Sequence, residues 1–309
     1  MINDIAGVGL TLAKELRKQG HEVTLLAKKS KLYTYPAWVK IYNNKLDEFF
    51  LKNINLNDFD LIHLHYLTNW ASSGLFFRKT KKPIILHAHG SDTRPKSLLI
   101  KTIQRLVACK SNILLYSTPD LKENLKWFNG EKIHFPNPVE IPKKTLSRRK
   151  YKNRILICST LNKVKRIESI FPIIKKLNYQ FDIFDHGKNA IYYKKIAPKN
   201  INFIRPVAHS EIQNLILKHP LVIGQQTGSM GVFELESMSL ARPTLFPFKY
   251  NNAYSEILPM PEFNRASIVK YFGDANLGER QRSWVKKHHA TNKVVRKLIF
   301  VYKKVLNEV

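Results

Sequence analysis

The chain lacks what would staple it, carry it through a membrane or mark it for a metal. Its 309 residues include two cysteines. Cys109 and Cys158 each sit in an apolar string (RLVACK and ILICST), so reduced core thiols are expected, not a disulfide or a metal centre. No apolar run reaches the roughly 18 residues of a membrane span. The opening MINDIAGVGLTLAKEL has no cationic segment followed by an apolar block, so no secretory leader is expected. No Cys/His cluster has zinc-finger ligand spacing, and no metal is expected. Zinc-finger, RNP-type and base-reading basic-helix signatures are missing too, which argues against a specific nucleic-acid binder. The absences together place the protein in the cytoplasm.

Acid is also scarce. Asp and Glu number 23 against 52 Lys and Arg, a net charge of +29. Such a field favours polyanionic partners: nucleic acid bound weakly and salt-sensitively, acidic lipid, or phosphorylated substrates. Lys, Asn and Ile are abundant together, so composition bias accounts for part of the excess.

What is present is an alternation. A helix-like GVGLTLAKELRKQG leads to HEVTLLAK, WVKIYN, DLIHLH, PIILHAHG and NILLYS, separated by helix-compatible stretches. Near-continuous apolar runs bounded by Gly, Pro and Asp read as buried parallel strands, and their alternation with helices implies a doubly wound α/β sheet. The stretch PNPVEIPKKTLSRRKYKN, rich in proline and cations, reads as a linker. Beyond it the alternation restarts with RILICST, YQFDIFDHG, INFIRP, PLVIGQ and RPTLFPF. The expected organisation is a Rossmann-like domain at 1–140, a linker at 141–153, and a second Rossmann-like domain at 154–283. A tail helix at 284–309 is expected to pack back on the first domain through Trp284, Val285, Leu298, Ile299, Val301 and Tyr302. Only MINDIA precedes the first Gly-rich turn, Gly7 and Gly9, so the first strand is short or missing.

Chemistry concentrates in GQQTGSMGVFELESMSLARPTLFPF, residues 224–248. A small-residue loop (Thr227, Gly228, Ser229, Met230, Gly231) opens a helix there, where free amides and the helix dipole bind phosphate oxygens. Glu236, inside that helix, suits two ribose hydroxyls, with each charge-assisted bond contributing roughly 1.5–3 kcal/mol. Glu234, on another side of the helix, reads as a solvated position. His89 falls at the carboxyl edge of a predicted strand, where ligands bind in such sheets. His63, His65 and His87 read as structural.

The block FELESMSLARPTL resembles the E-A-M-A-x-G-x-P-V segment of the retaining glycosyltransferase family 4, which has the GT-B fold. GVGLTLAKELRKQGHEVTLL, DLIHLHYLTNW, PIILHAHGSD, EKIHFPNPVEIP and NKVKRIESIFPIIKKL resemble further family segments in the family's order. The resemblance implies two Rossmann-like domains facing across a cleft. It implies sugar transfer from a nucleotide diphosphate donor to an acceptor, with retention of configuration and without a protein-bound metal. By position, His89 matches the histidine near the transferred sugar, with Gly90 and Asp92 completing that motif. Lys165 matches the lysine that neutralises the diphosphate, and Glu236 the second glutamate of the family's Glu-x7-Glu motif. The donor set expected is thus Glu236, Gly228, Ser229, Met230, Gly231 and Thr160. The acceptor or phosphate loop expected is Gly7, Gly9, Asp92 and Arg94.

The departures are specific. The motif's first glutamate falls on Gly228 and the family arginine on Thr160, with Lys163 or Arg166 as nearby substitutes. The glycine after the lysine is Arg166, and Pro138 stands where a glycine is usual. A weakly catalytic partner subunit and a sugar-nucleotide epimerase of the same fold are the alternatives. Basic clusters at 28–31, 78–82 and 94–101, the last flanking Leu98, Leu99 and Ile100, suggest a lipid-linked or membrane-proximal acceptor and peripheral contact with an anionic inner membrane face.

Overall fold

The computed structural model describes residues 1–30, 32–52, 54–78, 80–93, 97–111, 113–143 and 151–307. The chain forms two compact units, Met1–Pro138 with Thr291–Val309, and Val139–Ala290.

The first unit holds β1 (Leu26–Lys28), β2 (Lys40–Tyr42), β3 (Ile62–His65), β4 (Ile84–Ala88), β5 (Ile113–Tyr116) and β6 (Glu131–His134). β1 pairs with β2, and β3 to β6 pair in sequence order, all parallel. The gap between β1 and β3 is filled by the first residues of the chain. Ile2 bridges both Leu26 and Leu64, with His65 N–H donating to Ile2 O at 2.9 Å and Asn3 N–H to Leu26 O at 2.8 Å. The missing first strand is therefore a stub that closes one continuous sheet. Its strands bury both faces, as their uninterrupted apolar runs require, under α1 (Val8–Lys18), α2 (Lys45–Phe49), α3 (Trp70–Phe77) and α4 (Leu98–Ala108). α1 turns Leu12, Ala13 and Leu16 inward at helical spacing and ends on Arg17 and Lys18, which complement its dipole.

The second unit holds β7 (Arg154–Ile157), β8 (Gln180–Phe184), β9 (Ile201–Ile204), β10 (Leu221–Ile223) and β11 (Thr244–Leu245). Their order is β11-β10-β7-β8-β9, all parallel. The chain winds one way from β7 to β9 and then the other way through β10 and β11. The switch point lies between β7 and β10, and ligands in such sheets bind at that crevice. Its helices are α5 (Phe171–Ile174), α6 (Ala190–Ile196), α7 (His209–Lys218), α8 (Val232–Ser239), α9 (Arg265–Lys270) and α10 (Ala275–His288).

The tail is two helices, not one. α10 stops at His288, and α11 (Thr291–Asn307) begins after a break at which Ala290 bridges Val139. Trp284 and Val285, expected on the returning helix, lie in α10 and pack in the second unit's core with Met230, Leu235, Met238 and Phe246. α11 lies against α1 in the first unit and buries Val294, Val295, Leu298, Val301 and Val305. The boundary falls after Pro138 and not after residue 140, because Val139 N–H donates to His289 O at 2.8 Å inside the second unit. Much of the expected linker, 144–150, lies outside the described residues. Cys158 is buried as expected, but Cys109 is exposed at the end of α4, where the chain leaves the core.

Candidate functional site

The loops after β7 and β10 flank the switch point and carry most of the expected donor set. Thr160 lies in the first; its hydroxyl accepts from Asn162 Nδ2 at 3.1 Å. Lys165 follows on a short 3-10 turn, and its ammonium donates to Gln225 Oε1. Arg166, at the family's glycine, holds φ +54° and ψ +34°. A left-handed backbone on a non-glycine residue carries a steric cost of about 1–2 kcal/mol.

Gln225, which the sequence reading passed over, organises the second loop. Its side-chain amide donates to Ser229 O at 3.1 Å, and its backbone N–H donates to Glu234 Oε1 at 2.8 Å. Glu234 Oε2 also accepts from Gly231 N–H at 2.9 Å. Glu234 is only 2% exposed; it is not the solvated position expected. It caps α8 from within and ties both ends of the 225–231 loop to one carboxylate. Burial raises its pKa, opposed by those backbone bonds and by the charge of Lys165. The remaining first-turn amides of α8 have no intrahelical partner by helix geometry. Gly228 has φ +84°, and an added Cβ would lie 3.0 Å from Lys249 Cδ. The backbone is shaped for glycine where the family has its first glutamate, and the Lys249 stem lies beside that loop.

Glu236 projects from another side of α8, where Oε1 meets His209 Nε2 at 2.6 Å. The two glutamates thus divide the helix: one faces the loop's backbone, the other the start of α7. A surface cavity of about 930 Å³ between α5 and α6, lined by Glu168, Phe171, Lys175, Ile196 and Lys199 among others, touches none of the expected site residues.

In the first unit, His89 follows β4 and both of its ring nitrogens are engaged, Nε2 with His65 Nδ1 at 3.0 Å and Nδ1 with Ser117 Oγ at 2.9 Å. Burial lowers its pKa to about 3, so the ring is neutral. Asp92 is buried, and its carboxylate accepts from the backbone N–H groups of His89 (3.0 Å), Gly90 (2.7 Å) and Leu67 (3.1 Å). It fixes the turn carrying His89. Arg94 lies outside the described residues.

The Gly7–Gly9 turn does not offer the anion site expected of it. Asp4 Oδ1 accepts from Leu10 N–H at 3.1 Å and Oδ2 from Tyr35 OH at 3.0 Å. An internal carboxylate thus occupies the start of α1, where it repels phosphate. Gly9 serves packing: a Cβ there would stand 2.8 Å from Asn3 O, on the strand stub. A convergence lies in the first unit as well. His63, His65 and His87 meet on one face of β3 and β4. The signal was available in H-x-H on two consecutive strands, which puts each pair on a single face.

The profile of Glycosyltransferase Family 4 matches residues 8–141. Among solved structures, an alpha-glucosyltransferase in complex with UDP and a mismatch-containing 13-mer DNA superposes with a TM-score of 0.69 at 13% identity, covering 97% of this chain and 98% of that one. Anabaena Alr3699/HepE in complex with UDP-glucose gives 0.69 at 11% identity, covering 98% of each chain. An S. aureus TarM variant in complex with Fondaparinux, alpha-GlcNAc-glycerol and UDP gives 0.55 at 16% identity over 76% of this chain. The chain spans 53% of that protein's length. No curated protein matches it in sequence. Two parallel sheets, with these likenesses, show the GT-B fold. The match to the Glycosyltransferase Family 4 profile falls on the first unit, apart from its last residues. No helix among the described residues is long and apolar enough to cross a membrane.

Proposed function

We propose that the protein transfers a hexose-type sugar from a nucleotide diphosphate donor, with retention, to a glycan or lipid-linked acceptor. The observation that carries this is the Lys165–Gln225–Glu234 network at the switch point of the second unit, which presents one ammonium and an anchored small-residue loop at a helix start. In this reading Lys165, with the first-turn amides of α8, stabilises the departing diphosphate and no protein-bound metal takes part. Glu236 takes the ribose hydroxyls, leaving His209 to do so. Lys249, beside Gly228, supplies the second cation that Thr160 does not. His89 lies near the transferred sugar as a neutral, rigidly held ring.

Acceptor access at an anionic membrane face is supported by α4. Leu98 is 78% and Leu99 69% exposed, so the first turn of α4 is apolar and open, with Lys101 beside it. On α3, Trp70 and Phe77 are exposed as well. Apolar residues edged by cations suit an interfacial segment, each cation contributing about 1 kcal/mol near acidic lipid.

Incubation with labelled UDP-sugars tests the transfer. Sugar on an acceptor, or hydrolysed donor, is the expected result. An altered sugar still on its nucleotide would establish an epimerase in its place, and donor binding without turnover a non-catalytic partner. Sedimentation with acidic but not neutral vesicles at low salt is expected; equal binding to both, or none, refutes the membrane contact.

A further inference from the structure

The first unit buries three imidazoles whose free nitrogens point to a common use. His63 and His65 alternate along β3, and His87 stands opposite His65 on β4. All three side chains are buried. One nitrogen from each lies within 4.8 Å of the other two. Each ring has one nitrogen hydrogen-bonded outward: His63 Nδ1 to Tyr302 OH at 2.7 Å, His65 Nδ1 to His89 Nε2 at 3.0 Å, and His87 Nε2 to Ser117 Oγ at 3.1 Å. Each has its other nitrogen buried without a partner: His63 Nε2, His65 Nε2 and His87 Nδ1.

Three orphaned polar atoms in one cluster are costly, and buried polar groups rarely stay unpaired. A tautomer set exists that turns every orphan into a lone pair. His63 Nδ1–H donates to Tyr302, His65 Nδ1–H donates to His89 Nε2, and His87 Nε2–H donates to Ser117 Oγ. His89 Nδ1–H then also donates to Ser117 Oγ, which has two lone pairs to accept both. This is the pattern of metal-bound histidine, in which the outer N–H is held by a neighbour and the inner nitrogen is bare.

We propose that His63, His65 and His87 form a tris-histidine site for a divalent transition metal ion, zinc foremost. Neutral imidazole suits zinc, and three protein nitrogens leave one place in a tetrahedral shell for water. Zinc at about 2.0–2.1 Å from each donor sets them about 3.4 Å apart, and one nitrogen of each ring already lies within 4.8 Å of the other two. The rings stack, with His63 and His65 centroids 4.3 Å apart; ligation turns them about their Cβ–Cγ bonds until the bare nitrogens converge. The site belongs to the sheet of the first unit, beside Tyr302 of α11.

The test uses the full-length chain without a histidine tag. After loading with zinc chloride and gel filtration, one equivalent of zinc per chain is expected. Cobalt chloride is expected to give the visible absorption of four-coordinate cobalt with nitrogen ligands. His63→Gln and His87→Gln should each lose the retained metal, while the exposed-site control His21→Gln keeps it. Tyr302→Phe keeps a ring against His63 but removes its acceptor, and zinc affinity by chelator competition should fall 10–100-fold. Where a histidine variant fails to fold by circular dichroism, the wild-type cobalt spectrum and the Tyr302→Phe competition decide. No stoichiometric metal on the wild type, or retention unchanged in folded His63→Gln and His87→Gln, overturns the proposal.

Discussion

Replacing Glu234 with alanine tests whether the donor loop is held from inside. The side chain is almost wholly buried and accepts two backbone bonds, from Gln225 N–H at 2.8 Å and Gly231 N–H at 2.9 Å. Alanine leaves the Gln225 N–H buried without a partner, at about 1–3 kcal/mol, and removes the cap of α8, at about 1 kcal/mol. Relief from burying a carboxylate whose pKa is already raised offsets part of this. A net loss of about 2–3 kcal/mol is expected in the second unit. At roughly 2–4 °C per kcal/mol for a unit of this size, its melting temperature falls by about 4–12 °C. Glutamine does not rescue it, because one of its two ends is an NH2 that meets a donor. The loop also loses its anchor beside Lys165, so UDP affinity should drop with stability. Calorimetric unfolding and UDP titration of Glu234→Ala and Glu234→Gln provide the measurement. Melting within a degree of wild type together with unchanged UDP binding would show that Glu234 does not hold the loop.

Three further outcomes are expected. Glu236→Ala should weaken UDP binding about 10-fold or more, the loss of one charge-assisted bond, while leaving the melting temperature nearly unchanged; titration showing equal affinity would remove Glu236 from the donor site. Deleting residues 291–309 strips five buried apolar side chains from the face of α1, each stabilising by about 1.5–3 kcal/mol, so the first unit should become protease-sensitive while the second survives; two intact unfolding transitions would contradict this. Arg166→Gly should raise stability by up to about 1 kcal/mol, since relief of the left-handed strain exceeds glycine's entropic cost; a lower melting temperature would mean that the arginine side chain holds something in place.

Much of the fold could be read directly. Nearly every strand of both sheets was an apolar run between Gly, Pro or Asp, because a buried parallel strand has no polar face to hide. β6 escaped because EKIH alternates and is only partly buried. The break at His289 and Ala290 escaped because neither Pro nor Gly marks it; pairing with Val139 ends α10 there. At the site, Gly228 and Glu236 stood out in a small-residue loop opening a helix and Lys165 through the family resemblance, whereas Glu234 did not. Two glutamates two residues apart look alike until the loop that one of them caps is folded back onto it. Gln225 was hidden for the same reason, since its role lies in contacts with Lys165 and Ser229. Asp4 at the start of α1 was invisible because a Gly-rich turn does not say which carboxylate fills it.

The unequal fates of the two cysteines have a practical consequence. Cys158 is buried, and its pKa is raised well above the usual thiol range, chiefly by burial, so it is almost entirely protonated and shielded. Cys109 is exposed at the C-terminal end of α4. A thiol-reactive dye should therefore label one position without any mutation. Leu98 lies eleven residues earlier, about 16 Å along the helix at 1.5 Å per residue. An energy-transfer donor on Cys109 would report whether the apolar end of α4 meets acceptor-labelled lipid, in the unmodified sequence.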